Sequence, residues 1–88
     1  MSETIWKQTL KPKSAQEVMM PRGARILSAQ AQDNLPTIWF QCDPDEPMEW
    51  RNIHIVGTDH EPPANAKFIG TVQLSGGSLV VHIFERAQ

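Results

Sequence analysis

The chain has one cysteine, no long apolar run and no excess of either charge. With Cys42 alone no intrachain disulfide can form, which suits a reducing compartment. Nothing approaches the roughly 20 consecutive apolar residues of a membrane span. The start, Met1-Ser2-Glu3-Thr4, lacks a basic stretch followed by an apolar run, so no signal peptide is expected and the cytoplasm is the default compartment. No internal repeat or low-complexity tract occurs, and no window keeps a 3.6-residue apolar period over three turns.

Familiar catalytic and ligand-holding patterns are also missing. His54, His60 and His82 are too far apart in sequence to form a metal-ligand pair, and Cys42 has no companion, so no metal site is expected. Asp43, Asp45, Glu46 and Glu49 lack the ligand order and central glycine of a calcium loop. As an acid/base pair they sit on a proline-rich rim, with nothing to separate their pKa values. Gly57-Thr58-Asp59-His60 lacks the glycine spacing and the Lys-Ser/Thr ending of a phosphate loop. No Gly-x-Ser-x-Gly element is present. Cys42 alternates with Ile38 and Phe40, which makes it a small buried hydrophobe rather than a nucleophile. The expectation is a protein without catalytic activity or cofactor.

What the chain does contain is extended structure. The 88 residues are expected to form one domain, 1–88. Segments at 4–10, 16–20, 24–32, 37–42, 49–56, 67–74 and 78–84 read as strands, separated by turn residues. Residues 14–20 leave one helical turn open as an alternative. The fold class expected is all-β: a small sandwich or partly open barrel of about seven antiparallel strands, closed by a C-terminal Gly-Gly hairpin. In that hairpin a two-residue primed turn at Gly76-Gly77 is expected, with Leu74 opposite Leu79, Val72 opposite Val81, Gly70 opposite Ile83 and His82 opposite Thr71. In the third segment, alternation puts Leu27, Ala29 and Ala31 on one side and Ile26, Ser28 and Gln30 on the other. A middle hairpin pairing Ile38 with Ile53 gathers Ile38, Phe40, Cys42, Ile53 and Ile55 on one face, with Arg51 near its rim. Its other face sets Thr37, Trp39 and Gln41 against Trp50, Asn52 and His54.

That second face is the candidate binding surface. Trp39 and Trp50 would lie diagonally across neighbouring strands, and exposed aromatics among small polar groups are typical of binding hot spots. Trp39, Trp50 and Arg51 are therefore the candidate binding residues.

The charges are segregated although the net charge is only −2. Residues 1–25 carry a net +3 from Lys7, Lys11, Lys13, Arg22 and Arg25 against Glu3 and Glu17. Residues 33–61 carry a net −6, with Arg51 the single base. A chain-wide basic footprint for nucleic acid is absent. A protein partner is the expectation; a small-barrel nucleic-acid binder using the basic N-terminal third and the tryptophans is the alternative. Edge strands make a homo-oligomer compatible with either.

A set of short pieces in order completes the sequence: Thr4-Ile5-Trp6-Lys7, Met20-Pro21-Arg22-Gly23-Ala24, Ile26-Leu27-Ser28, Asp43-Pro44, Gly57-Thr58 with His60, Phe68-Ile69-Gly70-Thr71, Gly76-Gly77 and His82-Ile83-Phe84-Glu85. Over nearly its whole length the chain resembles a family of short uncharacterised bacteriophage and prophage proteins. The family more often has glycine where this chain has Asp59. The resemblance implies an all-β module of phage-related origin, acting in the cytoplasm of a bacterial host, and implies no activity or ligand residues.

Overall fold

A computed structural model describes residues 2–87. Among them, seven strands follow one another: β1 (Thr4–Thr9), β2 (Ala15–Pro21), β3 (Arg25–Gln32), β4 (Leu35–Cys42), β5 (Met48–Gly57), β6 (Ala66–Leu74) and β7 (Leu79–Arg86). They form two antiparallel sheets, of order β1-β4-β3 and β2-β5-β7-β6. The sheets stack as an open sandwich rather than closing into a barrel. Residues 15–21 are strand, so the helical alternative for that segment does not hold.

The period-two pattern explains the stacking. Val18 and Met20 of β2, Ile53 of β5, Val81 and Ile83 of β7, and Val72 and Leu74 of β6 turn inward from one sheet. Ile38, Phe40 and Cys42 of β4 and Ala29 of β3 meet them from the other. Ile38, Ile53 and Ile83 are wholly buried. Each such side chain contributes about 1.5–3 kcal/mol relative to an exposed one. Ile55 and Ile69 pack partly buried against this core.

The middle hairpin expected from the sequence does not exist. β4 pairs with β1 and β3, whereas β5 pairs with β2 and β7. Ile38 and Ile53 share the interior from opposite sheets instead of lying side by side. Asp43 through Pro47 carries the chain from one sheet to the other. That acidic loop holds itself through an Asp45 N–H donating to Asp43 Oδ1 at 3.0 Å, and Glu46 meets Arg22 at 3.4 Å.

The C-terminal hairpin keeps its expected register: Leu74–Leu79, Val72–Val81, Thr71–His82 and Gly70–Ile83 are all partners. Its turn differs. Residues 75–78 form a longer loop with positive φ at Ser75, Gly76 and Gly77, closed by the Ser78 N–H donating to the Ser75 carbonyl at 3.3 Å. The two-residue turn appears between β3 and β4, where Gln32 pairs with Leu35 and Asp33 and Asn34 have φ of 53° and 60°. Asn and Asp tolerate that left-handed geometry because their side chains can satisfy nearby backbone. The two turns touch: the Ser75 N–H donates to Asn34 Oδ1 at 2.7 Å.

Two bulges modify the alternation. In β3 the register slips between Ile26 and Ser28. Ile26 therefore packs against the core together with Ala29, and Leu27 stands exposed. The expected grouping of Leu27 with Ala29 fails for this reason. In β6 the slip falls between Phe68 and Gly70, turning Ile69 toward the core. β3 and β6 are the sheet edges that face each other across the sandwich. They approach closely at Gly70, where a Cβ would sit 3.4 Å from both Cβ and O of Ala29. Bulges twist a strand and block lateral pairing, so these two edges abut without joining.

Candidate binding face on the four-stranded sheet

Trp39 and Trp50 are not neighbours. Trp39 points out of the three-stranded sheet, since Ile38 and Phe40 on either side of it point in. Trp50 points out of the four-stranded sheet, beside inward Ile53 and Arg51. The joint surface expected from these two residues is thus divided between opposite faces of the molecule.

Around Trp39 the surface is a polar mesh. Lys7 and Ser28 are its cross-strand partners. Gln41 Nε2 donates to Glu3 Oε1 at 2.7 Å, Arg25 Nη2 donates to Gln41 Oε1 at 3.0 Å, and Lys7 Nζ donates to Gln32 Oε1. Trp39 is half-buried within this mesh.

The outer face around Trp50 is different in character. Strand register places Met19 opposite Trp50 and Pro21 opposite Met48. A second row crosses all four strands: Ala15, His54, Phe84 and Phe68. The rings of Phe68 and Phe84 meet edge-on, with centroids 5.5 Å apart at 66°. Between these rows lie Glu17, Asn52 and Arg86. Trp50 is 53% exposed, Phe68 54%, Met48 48% and Met19 37%. Large apolar side chains gathered at this exposure on one sheet face are the usual mark of a contact surface. Phe68 and Phe84 were not singled out from the sequence. Phe84 was legible from alternation with the buried Ile83, but the bulge at Ile69 hid the facing of Phe68.

Arg51 lies on the inward side of β5, opposite to this face, and is committed to a structural contact. Its Nη2 donates to Glu85 Oε1 at 2.9 Å, its Nε to Glu85 Oε2, and its Nη1 to the Ala24 carbonyl at 2.9 Å. The hydrogen bonds it donates to Glu85 hold the guanidinium above its ordinary pKa against the opposing effect of burial. The pair floors a groove of about 440 Å³ that runs from Trp50 past Lys67 to Arg86. The rim expected for Arg51 belonged to the hairpin that does not form, and Nε, Nη1 and Nη2 each donate to a partner within the fold.

The histidines have separate settings. Thr71 Oγ1 lies 2.9 Å from His82 Nδ1 and Thr58 Oγ1 lies 3.0 Å from His82 Nε2. One ring nitrogen of a neutral imidazole donates while the other accepts, and a hydroxyl can serve either. His54 and His60 line one open concavity of about 530 Å³ with Glu61. Among the described residues no group of three or more His, Cys, Asp or Glu is arranged to hold a metal ion. The Cys42 thiol is buried, and burial, with Glu3 and Asp43 nearby, raises its pKa. A raised pKa opposes the thiolate that nucleophilic work requires. No described helix is long and apolar enough to cross a membrane.

No curated protein and no solved structure matches the chain. The sequence model of a family described as Domain of unknown function (DUF7352) matches residues 1–88, from one end to the other. By that full-length match this two-sheet protein belongs to the DUF7352 family.

Proposed function

We propose that this protein is a non-catalytic binding module that engages a protein partner through the outer face of the β2-β5-β7-β6 sheet. The observation that supports this is the exposure of Met19, Met48, Trp50 and Phe68 together on that face. The two apolar rows flank a polar row of Glu17, Asn52 and Arg86. A partner with apolar groups on either side of a polar strip carrying charges of both signs complements it. The likeness to phage and prophage proteins makes a cytoplasmic factor of a bacterial host the class to test. The experiment is cross-linking in host lysate with the native protein, Trp50→Ala, Phe68→Ala and Trp39→Ala. Capture of one protein that both Trp50→Ala and Phe68→Ala abolish, and Trp39→Ala leaves intact, supports the reading. Capture indifferent to Trp50 and Phe68, or no capture, refutes it.

One observation favours nucleic acid as a second reading: Lys7 stands directly across from Trp39, with Arg25 on the same outer face. Stacking on an indole beside cations is how single strands are held. Against it, Lys7 and Arg25 already donate to glutamines and Glu3 shares the surface. Binding to a single-stranded oligonucleotide that falls steeply with added salt would favour this reading.

A further inference from the structure

We propose that β1 pairs along its free edge with β1 of a second copy, antiparallel about a two-fold axis at Ile5, making the three-stranded sheet a continuous six-stranded one. Among the described residues the sandwich has four edge strands: β1 and β3 in one sheet, β2 and β6 in the other. Three carry a device against lateral pairing. β3 is bulged at Leu27, β6 is bulged at Ile69, and β2 ends in Pro21, which has no N–H to give. β1 has neither a bulge nor a proline. Its register with β4 is unbroken from Thr4 to Thr9, and all six residues are exposed. Ile5 at 59% and Trp6 at 39% are among them. A regular, exposed edge with apolar side chains on both faces is a template for another strand.

The sequence of β1 selects a second copy as that strand. Glu3, just before β1, accepts a hydrogen bond from Gln41, the cross-strand partner of Ile5, and so shares one side of the chain with Ile5 and Lys7. An antiparallel copy centred on Ile5 presents them in the order Lys7, Ile5, Glu3. Each Glu3 then faces Lys7 of the partner, twice by symmetry, and the two Ile5 side chains meet on the axis. On the other side Thr4 faces Trp6. A centre at Lys7 would oppose like charges, and one at Trp6 would set Ile5 against Lys7. Opposite charges and apolar pairs across strands stabilise, whereas like charges opposite each other destabilise. The same patch on both subunits makes the contact isologous and closed.

Analytical ultracentrifugation of the full chain over the micromolar-to-millimolar range is the test. A concentration-dependent dimer is expected. Glu3→Lys or Lys7→Glu alone converts two attractive contacts to repulsive ones and should raise the dimer dissociation constant about tenfold or more. An equimolar mixture of these two variants again opposes unlike charges at every position, so it should dimerise as the native chain does. Ile5→Lys places like charges on the axis and should leave a monomer whose circular dichroism is unchanged. A native chain that stays monomeric throughout overturns the proposal. So does a dimer indifferent to Glu3→Lys, Lys7→Glu and Ile5→Lys, or a mixture that fails to recover.

Discussion

Arg51 on β5 and Glu85 on β7 form a doubly hydrogen-bonded ion pair at the end of the sandwich. The third donor of Arg51 reaches the Ala24 carbonyl, in the connection that leads from one sheet to the other. One side chain therefore ties two strands of the larger sheet to the crossover into the smaller one.

Removing both partners should cost less than the sum of removing each alone. Arg51→Met strands a shielded carboxylate and a carbonyl, and Glu85→Leu strands a guanidinium. The side chains retain 17% and 19% exposure, which lowers the loss below that of a fully buried pair, to about 2 kcal/mol for each substitution. The double variant should fall short of the sum by about 1 kcal/mol or more, read as a double-mutant cycle from urea unfolding.

Space beside Gly70 limits the size of any replacement. Gly70→Ala places its methyl at ordinary contact distance from Ala29, 3.4 Å, and should change stability by less than about 1 kcal/mol. Gly70→Val adds two methyls where the sheets already touch and should destabilise by about 1–3 kcal/mol. Thermal unfolding of the pair separates crowding from loss of backbone freedom, because only crowding depends on size.

Exposed and buried apolar residues should part company under truncation. Trp50→Ala and Phe68→Ala are expected to reduce stability by about 1 kcal/mol or less, since their side chains are half in water already. Ile53→Ala, wholly buried, should cost about 2–5 kcal/mol. Equal losses in denaturant unfolding would place Trp50 and Phe68 in the stabilising core and leave the outer face without a separate task.

Cys42 gives the chain an alkaline liability. Its folded pKa is raised from 9.0 by burial, with Glu3 and Asp43 adding to the effect. Below 9.0 the thiol is neutral whether folded or not, and its contribution to stability is complete. As pH rises past 9.0 the unfolded chain loses the proton first, so stability falls until the folded thiol also ionises. Cys42→Ala should flatten this part of the stability-against-pH curve, measured by urea unfolding under reducing conditions.

Contacts close in sequence were the legible ones. Leu74 with Leu79 and Thr71 with His82 follow from a short connection and a period of two, and both pairs are present. The longer turn did not disturb them, because any loop that joins Leu74 to Leu79 sets the same ladder. Ile38 and Ile53 show what alternation withholds. An inward side chain looks the same whether its partner lies beside it in a sheet or across the core from it. Pairing across the core puts Trp39 and Trp50 on opposite surfaces, so the candidate face changed with the topology. Leu27 and Ile69 mark a second limit: an extra residue in a strand inverts facing locally, and no turn residue announces it. Family membership came from the sequence as a whole, while the grouping of Met19, Trp50, Phe84 and Phe68 required the strand order.

Gly70 against Ala29 acts as the spine of a book whose outer margins are β1 and β2. Separation is easiest away from a spine. Slow breathing of this molecule should therefore begin at β1 and β2 and reach β3 and β6 last, so that backbone amides of the first pair trade protons with solvent well before those beside Ala29.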